Sequence, residues 1–144
     1  MSMSQNPFEP PPFMKPGHPA GDLLTTSEWK FLCEERGLIE VEAPLPAHLL
    51  NPKNQLFGGF TGTYVDMIAI LTTRSLFDES RPFHFSPTIN MRIDFLAPVV
   101  GPRFLLRGEL INQGRSTTLV ATHFSTMDGE KLVYAITTLR VHAG

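Results

Sequence analysis

A single cysteine, Cys33, rules out a disulfide within the chain and makes a reducing compartment the expected setting. No apolar run approaches the ~18 residues a membrane span needs. The N-terminus lacks the basic-then-apolar layout of a secretory signal. These absences predict a soluble, cytoplasmic protein with no membrane partner. Charge is also sparse, at 18% of residues with a net −2, which argues against a nucleic-acid partner. There is no G-x-S-x-G and no glycine-rich loop ending in Lys-Ser or Lys-Thr, so serine-hydrolase and nucleotide-phosphate chemistry have no support. The histidines are His18, His48, His84, His123 and His142. None are spaced i,i+4 and none has a cysteine nearby, so no zinc site is expected.

What the chain does have is enough apolar residue, 42% of 144, for one domain with a workable core. Residues 1–72 hold 4 basic and 8 acidic side chains, and residues 73–144 hold 8 and 6. The slightly basic second half suits an anionic ligand. Prolines crowd the start (Pro7, Pro10, Pro11, Pro12, Pro16 and Pro19). That density predicts neither helix nor central strand. Residues 1–24 are therefore expected to form an arm, loose or lying on the surface of a domain spanning 25–144.

Thr25 and Glu28 are spaced as a capping box, which predicts a short helix to about Arg36, stopped by Gly37. Leu38 to Glu42 fits a strand, and Pro44, Pro46 and Pro52 mark a loop. From Gly59 to about Leu76 the chain is free of proline, and apolar residues recur at three and four. Phe60, Tyr64, Met67, Ile68 and Leu71 share one face, suited to packing on a sheet. The opposite side carries Gly59, Gly62, Asp66, Ala69 and Thr73, a small-residue stripe with one carboxylate, which predicts an interface. Beyond Pro82 the period changes to two. Strands are expected at 88–95, 103–111, 115–126 and 130–142, with turns at Pro98 to Pro102, Gln113-Gly114 and Met127 to Gly129. Tight connections predict an antiparallel meander. One long helix wrapped by a long antiparallel sheet is an α+β architecture.

Asp66 invites a chemical reading, because a carboxylate in an otherwise uncharged helix is either paired or used. It is a candidate base or nucleophile, with a purely structural pairing as the competing reading. Gly58-Gly59 opens the helix, where the first N–H groups lack partners and carry partial positive charge. Side chains absent there let a carbonyl oxygen approach, as in an oxyanion site, although two glycines also make a plain turn. Gly58 and Asp66 are eight residues apart, about 12 Å along a helix at 1.5 Å per residue. They cannot meet one reacting atom on the same helix. Two antiparallel helices, stripe to stripe, would bring them together in a symmetric dimer.

The pattern N51-x(6)-G58-G59-x(6)-D66 resembles the acyl-CoA thioesterases of the hotdog superfamily, specifically the phenylacetyl-CoA thioesterase type. T88-I-N-M-R-I-D-F-L-A-P98 and G114-R-S-T-T-L-V-A-T are similar to that family's strand after the helix and the hairpin that follows. The resemblance covers roughly residues 38–142. It implies that the Gly59 N–H binds the thioester carbonyl, with Gly58 as packing partner. It further implies that Asp66 reaches it from the facing subunit as general base or nucleophile, that Asn51 orients the carbonyl or the attacking water, and that Thr88 helps place water. The chain departs from the family at Phe57, where His is common. The backbone donors survive that change, but any help from an imidazole is lost.

The expected activity is hydrolysis of a medium-chain or aromatic acyl thioester, carried on coenzyme A or on a carrier protein, by a homodimer that associates further as a dimer of dimers. A thioester is electrophilic and its thiolate leaves easily, so one donor and one carboxylate suffice and no metal or cofactor is required. Arg92, Arg115 and Lys131 are candidate cations for the nucleotide end of coenzyme A. Phe57, Phe60, Phe83 and Phe85 are candidate linings for the acyl tunnel, with core packing as the alternative. Two rivals stand beside this reading. A hydroxyacyl thioester dehydratase needs a His that position 57 lacks. A non-catalytic acyl-CoA or lipid binding protein would fit the Phe57 departure.

Overall fold

Two strands from the first half of the chain and four from the second build a six-stranded antiparallel sheet, and the proline-free helix lies across one face of it. The structure, a computed structural model, describes residues 7–84 and 87–141. In chain order the elements are α1 (Pro19–Leu24), β1 (Lys30–Glu35), β2 (Leu38–Pro44), α2 (Gly58–Arg74), β3 (Thr88–Phe95), β4 (Arg103–Gln113), β5 (Thr117–Ser125) and β6 (Lys131–Arg140). Single 3-10 turns lie at Pro12–Met14, Thr26–Glu28 and Ala47–Leu49. The spatial order is β1-β2-β4-β5-β6-β3.

The α+β architecture expected from the sequence is present, with three corrections. The helix expected from Thr25 to Arg36 does not form. Thr25 takes a left-handed conformation, φ 54°, and its side chain caps nothing. It ends α1 instead, and Lys30–Glu35 extend as β1, paired with β2. Sheet pairing overrides the local cap signal there. Secondly, the proline-rich start does hold one helical turn and a half, α1, because Pro19 sits at its first positions, where no N–H is needed. Thirdly, β3 is not part of the meander. β4, β5 and β6 follow one another, but β3 pairs with β6 at the far edge. The chain then returns past the start of α2, where Leu56 N–H donates to the Val99 carbonyl at 2.8 Å.

The core lies between α2 and the sheet. Tyr64, Met67, Ile68 and Leu71 are buried as the helical period predicts, and Phe60 is half-buried. Tyr64 stacks on Trp29 and meets Phe104 and Phe124 edge-on, at 5.4 and 6.0 Å between centroids. Close approach of α2 to β4 depends on Gly108. A Cβ there would stand 2.6 Å from Ile68 Cγ2 and closer still to Thr72 Oγ1. The helix is tied down at its C-terminal half, where Thr73 Oγ1 and Thr118 Oγ1 share a hydrogen bond of 2.9 Å. Ser75 Oγ donates to the Thr72 carbonyl at 2.5 Å and accepts from Gly37 N–H at 2.8 Å.

Candidate active site

The small-residue stripe of α2 is not uniform. Ala69 and Thr73 are fully buried under β5 and β6, with Ala69 in a cluster with Ile70, Val120 and Leu139. Only Gly59, Gly62 and Asp66 remain on open or half-covered surface. The C-terminal half of the stripe is therefore packed within the chain, and only its N-terminal half has surface left for the expected interface.

Asp66 is half-buried and accepts a hydrogen bond from Thr88 Oγ1, on the first residue of edge strand β3. Two candidates separated by 22 positions in the chain are thus brought together. A cavity of about 350 Å³ opens on the other flank of Asp66, lined by Phe13, His18, Ala20, Thr63, Met67 and Ile70. Asp66 stands between the sheet edge and the N-terminal segment. The sequence reading missed Phe13, His18 and Ala20. A signal existed, since Phe8, Phe13 and Met14 are apolar residues in a stretch expected to be an arm, loose or lying on the domain surface. Thr63 lies one helical turn before Asp66 and was legible from the helical wheel.

Gly58 and Gly59 form the exposed first turn of α2, preceded by Phe57, whose side chain makes no cap. Among the described residues nothing accepts their N–H groups. A Cβ on Gly58 would approach only Phe95, at 4.0 Å, so the backbone there is open to a ligand oxygen. Phe57 is exposed and packs on Phe60 at 5.8 Å between centroids. Asn51 lies just before this turn, but its Oδ1 already accepts from Lys53 N–H at 2.8 Å and Gln55 N–H at 3.0 Å. Its Nδ2 reaches Gln55 Oε1 at 3.4 Å. Asn51 therefore shapes the loop that leads into the glycines.

The other candidates divide. Phe83 packs on Phe77, 5.7 Å between centroids, beyond the C-terminal end of α2, and also against the Ala69 cluster. Phe85 lies outside the described residues. Arg92 and Lys131 line one groove of about 640 Å³ with Asp94, His123 and Tyr134. Arg92 pairs with Asp94 at 3.5 Å, an exposed contact that leaves the guanidinium available. Arg115 does not join them. It lies in the turn before Thr117, at the opposite end of β5 from Ser125, the residue that pairs with Lys131. Burial holds His123 below the ordinary histidine range, against the pull of Glu109. Among the described residues no cluster of three or more His, Cys, Asp or Glu is placed to hold a metal ion, and no helix is long and apolar enough to cross a membrane.

Residues 54–133, more than half of the chain, match the family profile described as Thioesterase superfamily. Solved structures share the hotdog fold. A hypothetical thioesterase from Streptococcus pneumoniae with coenzyme A superposes with TM-score 0.69 at 23% identity, over 78% of this chain and 87% of that one. A thioesterase family protein from Silicibacter pomeroyi gives TM-score 0.72 at 24% identity, over 85% and 90%. Zebra fish thioesterase superfamily member 2 gives 0.71 at 20% identity, over 81% and 83%. No curated protein matches the sequence at a significant level. With one long helix packed on a six-stranded antiparallel sheet, an accessible carboxylate on that helix and a sequence match across its middle, the chain belongs to the thioesterase superfamily as a thioester hydrolase.

Proposed function

We propose that the protein hydrolyses medium-chain or aromatic acyl-CoA thioesters in a seam between two copies of the chain. The observation that carries this reading is Asp66, half-buried and held by Thr88 of edge strand β3 on the N-terminal half of α2, the half that begins with exposed glycines. The glycine N–H groups lie about 12 Å up the same helix, too far to share a reacting atom with Asp66. An antiparallel partner helix removes that distance. Ile89, Phe95 and Leu96, at and just beyond edge strand β3, and Phe57 at the helix start are each more than half exposed, an apolar margin suited to a second copy. Leu105, Leu119 and Ile136, half-buried on the outward sheet face, offer a surface on which two dimers associate.

In this seam the Gly59 N–H of one protomer polarises the thioester carbonyl, with Gly58 leaving room for it. Asp66 of the other takes the proton of a water as the water attacks, and the tetrahedral adduct collapses with release of the thiolate. Direct attack by the carboxylate, giving an anhydride that water then opens, uses the same groups. Thr88 fixes the carboxylate and Asn51 holds the loop before the glycines. Arg92 and Lys131 supply positive charge for the nucleotide of coenzyme A, the thiol present in the Streptococcus pneumoniae structure. The single, unpaired Cys33 suits a cytoplasmic setting.

A thiol-release assay over acetyl-, octanoyl-, phenylacetyl- and palmitoyl-CoA, run beside sedimentation, tests this reading. Thiol release from octanoyl- or phenylacetyl-CoA by a dimer or tetramer is expected. Ligand-dependent thermal stabilisation without thiol release would mark a binding protein instead, and an enoyl product a dehydratase.

A further inference from the structure

We propose that the N-terminal segment from Phe13 to Ala20 is the specificity-determining wall of the acyl site. This rests on the reading of Asp66 as the hydrolytic carboxylate. The carbon that is attacked must stand beside Asp66, so its acyl group starts within a few ångströms of that carboxylate and runs into adjoining apolar space. The cavity on the flank of Asp66 is such a space. Its floor is α2, through Met67 and Ile70, and its outer wall is the N-terminal segment, through Phe13 and Ala20.

The wall is built into the fold. Thr26 Oγ1 donates to the Met14 carbonyl at 2.5 Å. Gly21 lets α1 rest against the preceding backbone, because a Cβ there would stand 2.8 Å from the Met14 carbonyl oxygen. The Gly17 N–H donates to Asp22 Oδ1 at 3.0 Å, and His48 Nε2 meets the Leu23 carbonyl at 2.7 Å. Arg74 reaches the Glu9 carbonyl further back. Met14 and Leu24 are buried in the main core. A segment fixed at so many points presents a surface of constant shape, which is what discrimination between acyl groups needs.

Phe13 is the bulky member of this wall. It packs both on the main core and on the Ala69 cluster, which hold its ring in place at the cavity's outer wall. The roughly 350 Å³ between it and α2 matches the space a medium-chain or arylacetyl group needs, and the wall is expected to disfavour a long acyl chain. Ala20, on the same wall, is small, and a larger side chain there would fill the space.

Steady-state kcat/KM for acetyl-, octanoyl-, phenylacetyl- and palmitoyl-CoA decides the matter, using the full chain, Phe13→Ala, Ala20→Phe and Asp66→Ala, each checked by thermal unfolding. Phe13→Ala is expected to raise the palmitoyl-to-octanoyl ratio by about tenfold or more, and Ala20→Phe to lower octanoyl and phenylacetyl relative to acetyl by about tenfold. If Phe13→Ala fails to fold, Ala20→Phe carries the test alone. Ratios equal to the parent in the folded variants, with Asp66→Ala inactive, overturn the wall while leaving the Asp66 reading in place. Full turnover by Asp66→Ala overturns both.

Discussion

The two halves of α2 are made of similar residues and have opposite fates. From Met67 to Thr73 every side chain is buried, and Thr73 is bonded directly to the sheet. From Gly58 to Asp66 the same helix exposes both glycines and leaves Gly62 and Asp66 half covered. The stripe Gly59, Gly62, Asp66, Ala69, Thr73 runs through both halves without a change of character. What changes is the surroundings. β5 and β6 cover the second half, whereas the first half reaches past them to the sheet edge, where β3 is the last strand. Small residues serve close packing on the protein itself in the second half; in the first, Gly62 still meets Met91 and Ile93 of β3, and only Gly58 and Gly59 lie open.

Substitutions should separate the halves. Asp66→Ala, in the open half, is expected to lower kcat by about 10²–10⁴-fold. Its melting temperature should stay near that of the parent, since Asp66 is half-buried and contributes one hydrogen bond to Thr88. A cooperative loss of stability alongside the loss of turnover would erase the distinction.

Gly108→Ala probes the covered half from the opposing strand. The added methyl would collide with Ile68 and Thr72, so a loss of about 1–3 kcal/mol is expected in urea unfolding. Specificity among acyl groups should not change. A variant as stable as the parent would mean that the helix lifts freely from β4.

Thr73→Val keeps the shape of the covered half and removes its hydrogen bond to Thr118. Both threonines are buried, so the loss is about 1 kcal/mol, and a double-mutant cycle with Thr118→Val should recover part of it. Strict additivity would show that the two hydroxyls are not coupled.

The smallest effect lies off the helix. Burial depresses the His123 pKa from 6.5 in the fold, so the unfolded chain takes up that proton first as pH falls. The stability tied to neutral His123 is fully present above about pH 6.5 and declines as pH drops toward the folded value. Unfolding midpoints of His123→Gln should show a shallower decline over the same range. An identical pH profile would assign the acid sensitivity elsewhere.

Much of this was legible from residues alone. α2 announced itself because a 3.6-residue period without proline is hard to mistake, and β3 to β6 because their alternation is sustained. Gly58-Gly59 and Asp66 stood out for the same physical reason, being the least expected residues at their positions. The failures share a cause. Thr25 and Glu28 carry a helix-start pattern, but the stretch from Lys30 to Glu35 pairs along β2, a partner that the local pattern does not reveal. The place of β3 at the sheet edge depends on pairing across the whole chain, which local periodicity does not encode. The place of Phe13, His18 and Ala20 beside Asp66 was hidden because proline density speaks against helix and central strand but does not say where an arm lies. Yet Pro19 starts α1, and the apolar residues between the other prolines pack on the core. Arg115 was named by type alone, and within one chain the length of β5 separates it from Lys131.

The account stands or falls on whether Asp66 and Gly59 act on one substrate from different protomers. Gly59→Pro removes the donor N–H while proline is tolerated in a first helical turn. Asp66→Ala removes the carboxylate. Each homodimer should be inactive, but co-producing the two variants should restore about a quarter of the parental activity, because random pairing makes half of the dimers mixed and each mixed dimer holds one intact site. No recovery in a mixture shown by mass to contain mixed dimers would contradict a seam shared between two chains.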